Sequence, residues 1–115
     1  MALIGGLAAS QAIESVTGLS TRLKWPNDVC VSGRKVCGVL AETSIRQGCV
    51  EWVALGIGIN VNLGPPAGIM SNPQATSLAA ELGRSVDRLA LLVNLSRALA
   101  GIYPNLGLPE IIDAW

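Results

Sequence analysis

The chain has 115 residues, half of them apolar and 14% charged, with eight basic residues balancing eight acidic ones. That is enough apolar material for one packed core, which excludes a disordered chain, and the neutral balance leaves no global field to draw nucleic acid or an anionic membrane. Histidine is absent, which removes the Ser–His–Asp triad, His-based zinc sites and the commonest acid–base residue, so any chemistry must rest on Lys, Asp, Glu, Arg, Asn or backbone amides.

Residues 2–17 predict a helix, with Gly5, Ala9, Ala12, Ile13 and Val16 on one face and Gly18 as its stop. Such a small-residue face can sit close to a sheet. The opening ten residues superficially resemble the apolar part of a signal peptide, but no basic residues precede them and the helical pattern continues through Val16, so the expectation is a core helix. No apolar run reaches the ~18 residues needed to span a bilayer.

Four strands follow. Residues 21–24 make the first, ended by Pro26, and residues 28–32 the second. A turn at Gly33-Arg34 leads into a third strand at 35–44, and Gln47-Gly48 turns into a fourth at 49–62. In the fourth, Val53, Leu55, Ile57, Ile59 and Val61 share a core-like face, while Trp52, Ala54, Gly56, Gly58 and Asn60 share the other. The second face shrinks to bare backbone, which suits either close approach by a ligand or tight packing against the Gly/Ala-rich first helix.

Residues 63–75, with Pro65, Pro66, Gly68 and Pro73, read as a loop. A short helix at 78–82 stops at Gly83. Ser85 is the expected cap of the next helix, with Asp87 in its first turn, running to about Tyr103 before Pro104. Leu89, Leu92, Val93, Ser96, Leu99, Ala100 and Tyr103 form its expected buried face, and residues 108–115 begin another helix. The order gives an α+β fold, a partial mixed or antiparallel sheet packed by helices, with fewer strands than a closed core normally needs.

Two motifs fail. Gly56-Ile-Gly58-Ile-Asn60 begins like a dinucleotide fingerprint but lacks the third glycine and lies within a strand. Asn94-Leu-Ser96 fits a glycosylation sequon but falls in mid-helix. Three clusters hold: Lys24-Trp25-Pro26-Asn27-Asp28; Gly33-Arg34-Lys35 leading to Gly38, Leu40 and Glu42; and the Gly56–Asn60 face. Each has a plain structural reading, respectively an ordinary turn, a solvated hairpin-tip charge and helix packing. A lysine at the head of an apolar strand can also meet a carboxylate or phosphate in a partly dry pocket.

Together the three clusters resemble the biotin–protein ligases, and the likeness continues in Ala75-Thr-Ser-Leu78, Glu81-Leu-Gly83, Asp87-Arg88 and Trp115. The resemblance implies a class II synthetase-like catalytic domain that uses biotin, ATP and Mg²⁺ to form biotinyl-5′-AMP. Biotin then passes to a lysine of a biotin carboxyl carrier protein, a subunit of acetyl-CoA carboxylase. It implies catalytic roles for Lys35, on the biotin carboxyl and α-phosphate, and for Asp28, on the acceptor lysine. Lys24, Trp25, Asn27, Gly38, Leu40, Gly56, Gly58 and Asn60 become binding residues, with Mg-ATP near Asn27 and Asn60 and no direct metal ligand.

The family's Gly-Arg-Gly-Arg loop, which lies upstream of the first motif, and its downstream small β-barrel have no counterpart in residues 1–115, so the expectation is a partial catalytic domain, inactive in isolation. The resemblance further implies a cytoplasmic protein without nucleic-acid or membrane partners, and a homodimer in the intact family member. A lipoate-attaching relative and a non-catalytic remnant are the alternatives. Cys30, Cys37 and Cys49 are odd in number and lack C-x-x-C spacing, as in a reducing compartment. A Gly33-Arg34 turn sets Cys30 opposite Cys37, with a disulfide not expected.

Overall fold

The computed structural model describes residues 1–63 and 73–105. Helix α1 (Ala2–Thr17) ends at Gly18, whose positive φ of 72° closes the last turn with a bond from its N–H to the Glu14 carbonyl. Ile4, Gly5, Gly6, Ala8, Ala9, Ala12 and Ile13 are its buried residues. The small face works as expected: a methyl added at Gly5 would lie 2.7 Å from Val39 Cγ1 and 3.1 Å from Leu55 Cδ1.

The sheet is fully antiparallel in the order β1-β2-β3-β4, from β1 (Arg22–Lys24), β2 (Asp28–Val31), β3 (Arg34–Arg46) and β4 (Cys49–Ile59). Both hairpins turn through two residues at positive φ, Ser32-Gly33 and Gln47-Gly48, the backbone twist that two-residue hairpins favour. The Trp25–Pro26 peptide between β1 and β2 is cis. Val29, Val31, Val36, Cys37 and Val39 of the sheet join Ala9, Ala12 and Ile13 of α1 in one core, closed by Leu78, Val86 and Leu91. β4 alternates as its sequence predicts, with Val53, Leu55, Ile57 and Ile59 half-buried between exposed neighbours.

Helix α2 (Leu78–Leu82) is capped by Ser77, whose hydroxyl accepts from Ala80 N–H and donates to the Leu63 carbonyl. Helix α3 (Arg88–Ile102) packs against α1 and runs into a 3-10 turn at Tyr103–Asn105.

Four expectations are corrected. The first hairpin turns at Ser32-Gly33, not Gly33-Arg34, because those two residues adopt the positive φ values. Cys30 therefore faces Lys35, and Cys37 faces Val29; all three cysteines are free. Asp87 caps α3 in place of Ser85, accepting from both Leu89 and Ala90 N–H. The face of α3 turned to the protein carries Leu91 and Leu95, while Leu89, Leu92 and Tyr103 are 68%, 58% and 65% exposed. The helix has two apolar stripes, and α1 takes the other one. Finally, β4 stops at Ile59: Asn60 still donates its N–H to Val36 of β3, but its carbonyl accepts from Leu78 N–H at the start of α2. The expected helix at 108–115 and residues 64–72 of the expected loop lie outside the described residues.

Candidate active site

Lys35 and Gly38 are three apart, so a regular strand would put them on opposite faces. A bulge prevents this. Asp28 and Val29 pair with Gly38 and Cys37, but Cys30 and Val31 pair with Lys35 and Arg34, leaving Val36 as an extra residue in β3. Lys35 and Gly38 both emerge on the sheet face opposite α1. The Lys35 ammonium reaches across to Asp28, with Nζ 2.7 Å from Oδ1. Its stem lies directly over Gly38: a methyl there would sit 3.1 Å from Nζ and 3.2 Å from Cε. Gly38 makes room for the lysine.

Lys24 stands on the other side of Asp28 as its register partner in β1. Lys24, Asp28 and Lys35 line a polar cavity of ≈ 190 Å³ with Cys30, Gly33 and Gln74. Two cations flank one carboxylate, so the cluster carries a net positive charge and favours an anion. The Lys35 side chain is 45% exposed and that of Asp28 23%, so solvent reaches the pair and a ligand can too.

Beyond Gly38 the surface is flat. Gly58 pairs with Gly38, and Gly56 with Leu40. Neither glycine is required by the fold. Methyls there would meet nothing closer than the Leu40 carbonyl oxygen at 3.7 Å and the Gly38 carbonyl oxygen at 3.9 Å. These are ordinary contacts, and α1 lies against the opposite face through Gly5. Helix packing therefore does not account for the bare strand. Leu40, 63% exposed, and Trp25, 78% exposed, present large apolar surfaces to solvent.

The two asparagines behave differently. Asn27 donates its side-chain amide to the Val39 carbonyl at 2.8 Å and receives the Val39 N–H on its own carbonyl. It ties the β1–β2 connection to β3. Asn60 donates its amide to the Thr76 carbonyl at 3.1 Å. Each amide nitrogen thus gives one N–H to a main-chain oxygen, and the structure does not bring these residues into the lysine cavity's lining.

A second frame, missed in the sequence, holds Lys35 from behind. Lys35 forms a parallel bridge with Ala75: its N–H donates to the Gln74 carbonyl at 2.7 Å, and its carbonyl accepts from Thr76 N–H at 2.9 Å. The Glu81 carboxylate accepts from both the Arg34 guanidinium and the buried Thr76 hydroxyl. Ala75-Thr76 and Glu81 stand in segments that carried the resemblance, but nothing in their spacing signals a parallel bridge to Lys35.

The two buried thiols are poor nucleophiles. Burial pushes Cys37 up from 9.0 to about 12, against the opposing pull of Lys35. Cys30 is also raised, first by burial and then by the Asp28 charge. Among the described residues no group of three or more His, Cys, Asp or Glu could hold a metal ion, and no helix is long and apolar enough to cross a membrane.

Comparison with known proteins places this geometry. A family model, the biotin/lipoate A/B protein ligase family, matches residues 2–60. The chain is 37% identical to a biotin–[acetyl-CoA-carboxylase] ligase of Paracoccus denitrificans over an alignment covering 100% of this chain and 51% of that protein. It is 36% identical to the bifunctional ligase/repressor BirA of Bacillus subtilis (strain 168), over 83% of this chain and 30% of that protein. The chain thus spans about half the length, or less, of these curated relatives. Among solved structures, a mutant biotin protein ligase from Aquifex aeolicus in complex with biotin superposes with a TM-score of 0.78 at 34% identity, covering 90% of this chain and 42% of that one. The same organism's ligase in complex with biotin and ATP gives a TM-score of 0.65 at 35% identity, over 88% and 43%.

Proposed function

We propose, from the premise that this chain belongs to the biotin/lipoate A/B protein ligase family and falls with the biotin–protein ligases, that it supplies the anion-binding floor of an ATP-dependent biotinylation site. The observation that carries the reading is the Lys35 ammonium, laid over bare Gly38 and held 2.7 Å from Asp28.

The first step joins two anions. A biotin carboxylate oxygen attacks the α-phosphorus of ATP, the bond to the β-phosphate oxygen breaks, and pyrophosphate leaves with that electron pair. Biotinyl-5′-AMP remains. Lys35, with Lys24 nearby, offsets the accumulating negative charge; an opposite charge ~4 Å away contributes about 4 kcal/mol at an effective dielectric near 20, less at so exposed a site. Mg²⁺ bound with ATP would supply charge neutralisation; of the residues near it, Asn27 and Asn60 would each offer a side-chain amide oxygen.

In the second step an acceptor lysine amine attacks the acyl carbon, AMP departs, and an amide forms. Asp28 is the carboxylate on this face placed to orient that amine and take its proton. Its ion pair with Lys35 keeps it aimed until then. The acceptor is a lysine of a biotin carboxyl carrier protein, and the bare strand through Gly56 and Gly58 receives the flat adenylate.

The test is biotin-dependent exchange of pyrophosphate into ATP, with equilibrium binding of biotinyl-5′-AMP measured alongside, since binding requires contacts and not turnover. Lys35→Ala is expected to weaken adenylate binding at least about tenfold, the loss of one charge-assisted contact, with unfolding stability within about 0.5 kcal/mol of the parent. Adenylate binding that ignores Lys35→Ala refutes the assignment. Lipoate displacing biotin would favour the lipoate side of the family.

A further inference from the structure

We propose that Glu81 is a positioning residue for Lys35, acting through Arg34 and Thr76; the proposal deepens the adenylation reading above and rests on it for its functional meaning. The sequence marks Glu81 only as part of a Glu-Leu-Gly run closing a short helix.

Glu81 sits in α2, on the side of the sheet away from the cavity, with a side chain only 9% exposed. One of its oxygens, Oε1, accepts from two donors that belong to different segments. One is the Arg34 guanidinium; the other is Thr76 Oγ1 at 2.7 Å. Arg34 is the neighbour of Lys35 in β3, and Thr76 is the neighbour of Ala75. The carboxylate therefore clasps both segments of the parallel bridge one residue from the point where Lys35 is gripped.

The rest of the hold on Lys35 comes from its pairing with Cys30, its ion pair with Asp28 and the 74–76 segment. Two main-chain bonds join Lys35 to Gln74 and Thr76, and Asn60 holds the Thr76 carbonyl. Lys35 pairs with Cys30 beside the Val36 bulge, where the β2–β3 register shifts by one residue. A lysine at such a point must have its main chain fixed elsewhere if its ammonium is to stay over Gly38. Glu81 supplies that fixing at long range: it touches no ligand, but it determines where the Lys35 stem begins.

The experiment exploits a feature of composition. Lys24 and Lys35 are the only lysines in the chain, so trace acetylation of the full folded chain, read by mass spectrometry, reports Lys35 against Lys24 as an internal standard. Glu81→Ala is expected to raise the Lys35:Lys24 labelling ratio by roughly threefold, the scale on which a partly exposed ion pair protects an amine. Glu81→Gln keeps an oxygen acceptor in place and is expected to restore the parent ratio. A role in stability alone would lower the melting temperature of Glu81→Ala and leave the ratio of the folded chain unmoved.

A folded Glu81→Ala chain with the parental ratio overturns the proposal. Should that variant not fold, Arg34→Met and Thr76→Val each remove one arm of the clasp; a raised ratio in either supports the proposal, and parental ratios in both overturn it. The labelling uses no substrate, so it separates the two readings. Lost adenylate binding in Lys35→Ala together with an unmoved ratio in folded Glu81→Ala sinks the positioning role alone, and a parent chain that never binds biotinyl-5′-AMP sinks the adenylation reading alone.

Discussion

Adding one methyl to Gly5 and one to Gly58 makes the same chemical change on opposite faces of the sheet, with opposite expected outcomes. At Gly58 the nearest heavy atom to the new carbon is the Gly38 carbonyl oxygen, 3.9 Å away, an ordinary contact. Glycine inside a strand is less stable than alanine by roughly 0.5–1 kcal/mol, through the entropy of the unfolded chain. Gly58→Ala should therefore gain about that much. At Gly5 the helix gains about 1 kcal/mol of propensity, but the methyl lands 2.7 Å from Val39 Cγ1 and 3.1 and 3.3 Å from the Leu55 methyls. Val39 is 2% exposed and β-branched, so it has little freedom to yield. Overpacking of this kind costs about 1–3 kcal/mol, leaving Gly5→Ala net destabilised by about 1 kcal/mol. The two variants should differ by about 2 kcal/mol in urea unfolding followed by circular dichroism, a separation on the order of 10 °C in melting temperature for a domain this small. Gly58→Ala unfolding more easily than the parent, or Gly5→Ala more stable than it, would refute this account of the two faces. The functional counterpart is Gly58→Val, which should keep the fold and lose biotinyl-5′-AMP binding, because its side chain fills space that the fold leaves empty.

The thiols give two checks. Cys49 is exposed while Cys30 and Cys37 are buried, so iodoacetamide at neutral pH should modify Cys49 and reach the other two only after denaturation, as counted by mass spectrometry. Cys37 is raised from 9.0 to about 12 in the folded chain, so the unfolded thiol loses its proton first. Stability present below pH 9 should fall as pH climbs toward 12, by about 1.4 kcal/mol per unit, and Cys37→Ala should flatten that slope in urea midpoints taken across the range. At the start of α3, Asp87→Ala should cost about 1 kcal/mol through two lost caps, whereas Ser85→Ala should stay within about 0.5 kcal/mol.

Much of the architecture was readable because local signals and tertiary demands agree. Gly18 and Gly83 end their helices at positive φ, Gln47-Gly48 turns its hairpin, and the two-residue period of β4 reports which side faces the core. Reading failed where two chemically similar choices compete. Ser32-Gly33 and Gly33-Arg34 differ by one residue, and that shift alone separated Cys30 from Cys37. Leu89, Leu92 and Tyr103 form as good a stripe as Leu91 and Leu95, and only the position of α1 decides between them. The lysine, the aspartate and the glycines could be picked out by type. Their meeting could not, because it depends on Val36 being extruded from the ladder, a feature invisible to any count of apolar residues. Arg34, Thr76 and Glu81 were hidden for another reason: the bond that unites them spans 47 positions along the chain.

β4 has eleven residues and a single charge, Glu51, which Arg46 of β3 approaches at 3.8 Å. Among the described residues its outer margin pairs with no strand, and beside it Ile57 and Ile59 share an apolar groove with Leu89 and Leu92 of α3. β4 itself carries no lysine and no proline, and its charges are limited to Glu51, with Arg88 at the groove. Water is a poor long-term occupant of such a seam, so the isolated chain should crowd onto itself as it is concentrated, and its yield at the bench will depend on what is supplied to fill that seam.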